Sequence, residues 1–251
     1  AKFIVEDTIK LGGTYFGHIG RMDAGQLEPG QQVSAEVDAE RRQSIVIHHS
    51  ATHLLHRALR DILGDHVEQK GSLVAPDYTR FDFSHPKQLS VEELQQIERH
   101  VNDAIRVNPL SVSEVMSFDD ALKTGAMALF GEKYGDEVRV LSMGEGFSVE
   151  LCGGTHVDRT GDIGTFVILS ESGVSAGVRR IEVATGAEAI AFLRGRAQVA
   201  VDLSDQLKVP LKDVAKKVAT LSDERKSLER QLADTKRALA MAGESGAPSG
   251  P

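Results

Sequence analysis

Ile45-Val46-Ile47-His48-His49-Ser50-Ala51-Thr52-His53-Leu54-Leu55-His56-Arg57-Ala58-Leu59 is a helix-like run in which histidines crowd one end. At 3.6 residues per turn, side chains four apart lie on one face, so His49 and His53 can point two imidazoles at one ion. Leu55, Leu59, Ile62 and Leu63 continue as an apolar stripe that would anchor the helix in a core, and Gly64 is a natural C-terminal stop. His48 faces away from the pair and His56 lies a turn further on, which makes both weaker candidates as ligands. His18, His66, His85 and His100 have no comparable spacing.

Two histidines rarely complete a zinc site, which wants four ligands or three plus water. The remainder is supplied by Cys152-Gly153-Gly154-Thr155-His156, which holds the one cysteine of the chain and follows a strand-like run, Phe147-Ser148-Val149-Glu150-Leu151. The two glycines let a turn bring thiolate and imidazole to one point. His49, His53, Cys152 and His156 then form a His3Cys set that suits Zn2+ in softness and in number. Each half alone has an ordinary explanation, since a buried cysteine is usually a small hydrophobe, but the two halves complete each other. A rival reading makes Cys152 a nucleophile with His156 as its base; it leaves His49 and His53 without a task.

At 251 residues and 41% hydrophobic side chains, the chain can bury a core in one large or two modest domains. It has no run of about 18 apolar residues for a membrane span and no charged-then-apolar leader, so no membrane partner and a cytoplasmic location are expected. One cysteine makes no internal disulfide and stays available as a ligand. The net charge of −8 argues against wrapping nucleic acid by bulk electrostatics. Between Arg196 and Gly243, however, ten Lys/Arg face seven Asp/Glu, so any RNA contact should be local, at Arg179, Arg180 and the C-terminal arm.

The pattern implies an α+β fold. Residues 1–38 read as three short strands, Phe3–Val5, Thr14–Ile19 and Gln31–Val37, split by Gly12-Gly13 and Glu28-Pro29-Gly30. They suggest part of a small β-barrel whose beginning is missing. Residues 39–195 mix strands and helices without strict βαβ alternation, giving a mixed or antiparallel sheet with packed helices. Strands are expected over His66–Val74, Arg80–His85 with Phe81 and Phe83 on one face, Leu110–Val115, Val138–Leu141, Phe147–Leu151, Thr165–Ser170 and Val178–Thr185. Ser90-Val91-Glu92-Glu93 is a capping box opening a helix to about Arg106 that Asn108-Pro109 ends, and Phe118–Gly125 gives a short helix. Over 196–243, Val199, Leu203, Leu207, Leu211, Val214, Val218, Leu221, Leu228, Leu232 and Leu239 follow heptad-like steps on either side of Pro210. This predicts a helical hairpin or coiled-coil arm, the alternative being a helix lying on the protein's own surface. Residues 244–251, rich in Gly, Ser and Pro, read as a disordered tail.

Several strings in fixed order resemble the editing domain of the alanyl-tRNA synthetase family: His49-Ser-Ala-Thr-His53-Leu-Leu-His, Gln69-Lys-Gly-Ser-Leu-Val, Arg80-Phe-Asp-Phe-Ser-His, Gly125-Ala-Met-Ala-Leu-Phe-Gly-Glu-Lys-Tyr, Cys152-Gly-Gly-Thr-His156, and Ser170-Glu-Ser-Gly-Val with Gly177-Val-Arg-Arg-Ile-Glu182. The resemblance implies hydrolysis of tRNA(Ala) wrongly charged with serine or glycine, and zinc ligands at His49, His53, Cys152 and His156. It places Thr52, Gln69 and Ser72 in the amino-acid pocket as substrate- and water-positioning groups, and it implies a homodimer through the helical arm. The ATP- and alanine-binding aminoacylation core and the C-terminal tRNA-gripping domain of the family have no counterpart in these residues.

Editing is needed because small differences between amino acids give a synthetic pocket only about 1–3 kcal/mol of discrimination. Zinc could polarise the ester carbonyl or activate water, or a closed four-ligand shell could simply hold the pocket. The rival from another class is a non-catalytic, zinc-stabilised tRNA-binding or dimerisation module.

Overall fold

The structure, a computed structural model, describes residues 1–13, 15–128 and 134–244, and residues 1–39 form a compact unit of their own. Within it, β1 (Lys2–Leu11) and β2 (Tyr15–Ala24) pair as an antiparallel hairpin. Gly12 and Gly13 at its tip have φ of 56° and 80°, a region open to glycine without steric cost. The third strand expected over Gln31–Val37 does not form, and Val33 and Val37 are exposed. An alternating pattern makes a strand only where a neighbour completes its hydrogen-bond ladder, and among the described residues of this unit the sheet has two strands.

The second unit is organised around α1 (Ala39–Leu63), closed by Gly64, whose amide donates to the Arg60 carbonyl at 2.9 Å. From Val46 to Leu59 only Arg57 is exposed, so the helix is buried nearly all round instead of along one stripe. Its polar residues are accommodated by local bonds. Ser50 Oγ donates to the Val46 carbonyl and accepts from the Val157 amide, and Thr52 Oγ1 lies 2.9 Å from the His48 carbonyl.

One four-stranded antiparallel sheet has the order β3 (Gln69–Val74), β4 (Thr79–Ser84), β9 (Val178–Thr185), β8 (Phe166–Ser175). Phe81 and Phe83 on β4 and Ile181 and Val183 on β9 pack with α1 and with α2 (Val91–Val107), as the alternation of β4 requires. β3 starts later than expected because Arg60 Nη1 binds the carbonyls of Asp65 and Val67, holding that segment as a turn. The Ser90 capping box is present, and Asn108 ends α2 at φ 56°.

The other sheet is β5 (Val112–Ser117), β6 (Glu137–Met143) and β7 (Ser148–Leu151), with α3 (Phe118–Lys123) alongside. β6 is covered on both faces. Val138 and Val140 enter a small core with Ala121 and Leu151, while Leu141 and Met143 enter the main core. The Cys152–His156 loop leaves β7 next to that shared strand. Part of the Gly125–Tyr134 motif lies outside the described residues.

α4 (Gly186–Leu207) ends at Lys208, φ 53°, and after Pro210 and a 3₁₀ turn the chain continues as α5 (Val214–Glu244). Only the first turn of α5 is partly covered, at Val214 and Lys217, close to the end of α4; every side chain from Val218 to Met241 is exposed. Leu228, Leu232 and Leu239, at 63, 56 and 74% exposure, keep their stripe uncovered. The tail expected over 244–251 lies, apart from Glu244, outside the described residues.

Candidate metal centre

α1 presents His49 and His53 to the loop that follows β7, and there they meet Cys152 and His156. One donor atom from each of the four lies within 4.8 Å of all the others. His156 Nε2 is 3.2 Å from His53 Nε2, and Cys152 Sγ is 3.5 Å from His49 Nε2. A tetrahedral zinc ion with ordinary bond lengths separates two nitrogens by ~3.3 Å and a nitrogen from a sulfur by ~3.6 Å. Two edges therefore already have the length zinc requires. The donor set fits the metal in number, softness and spacing.

The glycines act differently from the expectation. Neither Gly153 nor Gly154 is among the glycines with positive φ. Gly154 is needed for room, since a Cβ there would sit 2.2 Å from His49 Cε1, whereas a Cβ on Gly153 meets nothing within 4 Å. His48 is a core histidine: Nδ1 is 2.9 Å from the Ser44 carbonyl, and Nε2 accepts from the Thr185 amide at 3.3 Å. Burial lowers its pKa and keeps it neutral. Of the other histidines, His66 and His85 bond each other, His100 meets Asp61 and His18 meets Thr8.

Glu150 was not singled out by the sequence reading. It is 2% exposed on β7, and its Oε2 lies 2.8 Å from His53 Nδ1, the nitrogen facing away from the cluster. Its Oε1 accepts from Ser148 Oγ at 3.0 Å. A metal-ligating histidine characteristically gives its second N–H to such a carboxylate, which fixes tautomer and ring orientation. Burial pushes the Glu150 carboxyl up, but the His53 and His56 rings beside it outweigh that and hold it far below the usual range.

In the metal-free protein these groups form a charged network. Burial opposes charge on His53, yet Glu150 and Cys152 together raise it to about 10. Burial likewise opposes the Cys152 thiolate, but hydrogen bonds with His156, His49 and His53 lower its pKa to about 3. His156 is lowered, chiefly by burial. His53 is thus the proton carrier and Cys152 is already a thiolate, the form that binds metal.

Next to the cluster is a cavity of about 510 Å³. Thr52, Gln69 and Ser72 line it together with His49, His53 and Cys152. Gln69 Nε2 lies 3.3 Å from Ser72 Oγ. Thr52 Oγ1 is 3.0 Å from Thr79 Oγ1; its proton is used within the protein, so towards the cavity Thr52 can only accept. Arg179 and Arg180 do not line the cavity. Arg179 pairs with Glu171 at 2.5 Å, and Arg180 grips both oxygens of Asp82 at 2.7 and 2.8 Å. Both guanidiniums are engaged in cross-strand bonds. Among the described residues, no helix is long and apolar enough to cross a membrane.

Residues 138–182 match the family described as the threonyl and alanyl tRNA synthetase second additional domain, a span running from β6 through the Cys152–His156 loop into β9. An alanine–tRNA ligase of Hyphomonas neptunium is 54% identical over 257 residues, covering 100% of this chain and 29% of that protein. Those of Bradyrhizobium diazoefficiens and Neisseria meningitidis are 49 and 52% identical over 99 and 96% of the chain, again covering 29 and 28% of their own length. The chain spans less than a third of the curated relatives it matches. By descent it is a member of the alanine–tRNA ligase family, homologous almost throughout to one stretch of those longer proteins.

Proposed function

We propose that this chain is the editing portion of an alanine–tRNA ligase and hydrolyses the ester of tRNA(Ala) mischarged with serine or glycine. The observation that carries the reading is that the His3Cys cluster and the polar trio Thr52, Gln69 and Ser72 open onto one cavity large enough for an aminoacyl group. His49, His53, Cys152 and His156 would hold a Zn2+ ion, whose charge would be available to the ester carbonyl or to water. Ser72 and Gln69 offer both donors and acceptors to a seryl hydroxyl, and Thr52 adds an acceptor. In the reaction the oxygen of water bonds to the carbonyl carbon, the bond to the ribose oxygen breaks, and a proton from water ends on that ribose hydroxyl. Work on tRNA by a chain with one free thiol suits the cytoplasm.

The test is release of amino acid from Ser-, Gly- and Ala-tRNA(Ala), with and without a zinc chelator. A hydroxyl-binding group left unpaired by alanine costs about 1–3 kcal/mol, so serine should be removed roughly tenfold faster or more. Ser72→Ile should abolish hydrolysis while zinc stays bound; Ser72 is the better site because Thr52 is buried in α1 packing. Equal rates on serine and alanine would overturn the reading, and activity that survives chelation but not thiol alkylation would point to Cys152 as nucleophile. The bare apolar stripe on α5 favours a second reading, a zinc-stabilised dimerisation or tRNA-binding module, which predicts bound zinc and no hydrolysis.

A further inference from the structure

Arg139 is the one arginine or lysine among the described residues that line the cavity. It is half-buried on β6 and braces the metal loop twice: its carbonyl accepts from the Cys152 amide at 3.0 Å, and its Nη1 donates to the Gly154 carbonyl at 2.5 Å. Nη2, towards solvent, donates to Ser113 Oγ at 2.9 Å. All of these partners are neutral. A guanidinium carries several N–H donors in a rigid fork, and these bonds use one on each terminal nitrogen. Among the described residues no carboxylate pairs with Arg139, whereas Arg179 and Arg180 are each neutralised by one. An arginine whose charge is left uncompensated at the wall of a cavity is suited to an anion.

We propose that Arg139 binds the phosphate of the 3′-terminal nucleotide that carries the aminoacyl group, so that the site recognises an aminoacyl nucleotide and not a bare amino-acid ester; the proposal rests on the editing function proposed above. The substrate offers few anionic groups near its ester. Its aminoacyl end carries an α-ammonium, which a guanidinium repels, and its ribose and base are uncharged. The phosphate is one sugar ring away from the ester, and it is the nearest group that an arginine fork fits with paired, charge-assisted bonds. With Thr52, Gln69 and Ser72 taking the amino-acid side chain, an anion held at Arg139 would set the direction in which the chain end enters. The net charge of −8 gives no general attraction for RNA, so a placed cation has to supply it at the cavity.

The experiment measures binding of the non-hydrolysable 3′-seryl amide of adenosine, with and without a 5′-phosphate, to wild type, Arg139→Gln and Arg139→Lys, together with KM and kcat on Ser-tRNA(Ala). Zinc content is followed in each variant, because Arg139 also braces the metal loop. Wild type should bind the phosphorylated amide roughly tenfold more tightly or better, the worth of a hydrogen bond to a charged group, and added salt should shrink that preference. Arg139→Gln should lose the preference while its zinc and its affinity for the unphosphorylated amide stay within a few-fold of wild type, and Arg139→Lys should keep much of it. On Ser-tRNA(Ala), Arg139→Gln should raise KM and leave kcat. No phosphate preference in wild type, an undiminished preference in Arg139→Gln, equal weakening of both amides, a fall confined to kcat, or loss of zinc in both variants would each overturn the proposal. If wild type selects the phosphorylated amide through Arg139 but cleaves no ester, the contact stands and the hydrolytic reading fails.

Discussion

Alanine at position 154 would place a methyl carbon 2.2 Å from His49 Cε1 and 2.8 Å from His49 Nδ1. Ordinary contact begins at 3.4 Å, so the imidazole must retreat by about 1.2 Å, whereas zinc–nitrogen bonds tolerate only about 0.2 Å. His49 would therefore leave the set. Loss of a mere outer partner of a metal ligand weakens binding 10–100-fold, so loss of a direct ligand should cost at least about 100-fold, or about 2.7 kcal/mol. Competition with a chromophoric chelator, read against circular dichroism to establish folding, measures this. Gly153→Ala is the internal control: its methyl meets nothing within 4 Å, and its zinc affinity should stay within a few-fold of wild type. Wild-type zinc affinity in Gly154→Ala would remove His49 from the site. Equal weakening in both variants would show that the loop backbone, and not the contact with His49, is what glycine provides.

Four further outcomes are expected. Zinc uptake at pH 7 should release about one proton, because the metal-free pair holds one on His53, raised to about 10, and none on Cys152, lowered to about 3; calorimetry in buffers of different ionisation enthalpy counts it. The sign for stability is set by the same pair. Between 6.5 and 9.0, its ordinary values, folded and unfolded chains bind equal protons and metal-free stability should be flat; below 6.5 the unfolded chain binds more and stability falls, joined by neutral His48, and above 9.0 the folded chain binds more and stability falls again. Urea titrations across pH show this, and a monotonic profile would contradict it. Glu150→Gln should weaken zinc binding about 10–100-fold without changing stoichiometry, as chelator competition would report. Truncation near Gly195 should lower the association state seen by sedimentation, because it removes the stripe of Leu228, Leu232 and Leu239; an unchanged state would make the arm dispensable for assembly.

What could be read without coordinates was whatever has local cause. The i, i+4 histidines, the Ser90 capping box, the Asn108-Pro109 stop and the paired Phe81 and Phe83 each depend on residues within one or two turns. Glu150 escaped because in a short alternating strand a glutamate reads as a solvent-facing residue, and its partner His53 is 97 positions away. The demand of a ligating histidine for an acceptor on its second nitrogen was the available signal, two residues before the cysteine. The ion pairs of Arg179 and Arg180, the local positions proposed for RNA contact, were hidden for a similar reason: Glu171 and Asp82 lie across neighbouring strands. Gln31–Val37 had the alternation of a strand, but pairing depends on a neighbour that a segment's own residues do not encode.

The donors from α1 and those from the loop after β7 stand 103 positions apart. An ion joining them is a reversible staple across a long stretch of polymer. By the loop-closure model used for disulfides, tying ends about 100 residues apart removes denatured-chain entropy worth about 4.7 kcal/mol, as large as the stability of many small domains. Metal supply would then govern how long the chain survives between unfolding events as much as what it binds, and a chelator should accelerate proteolysis of the strands enclosed between residues 49 and 156 before it touches the exposed arm.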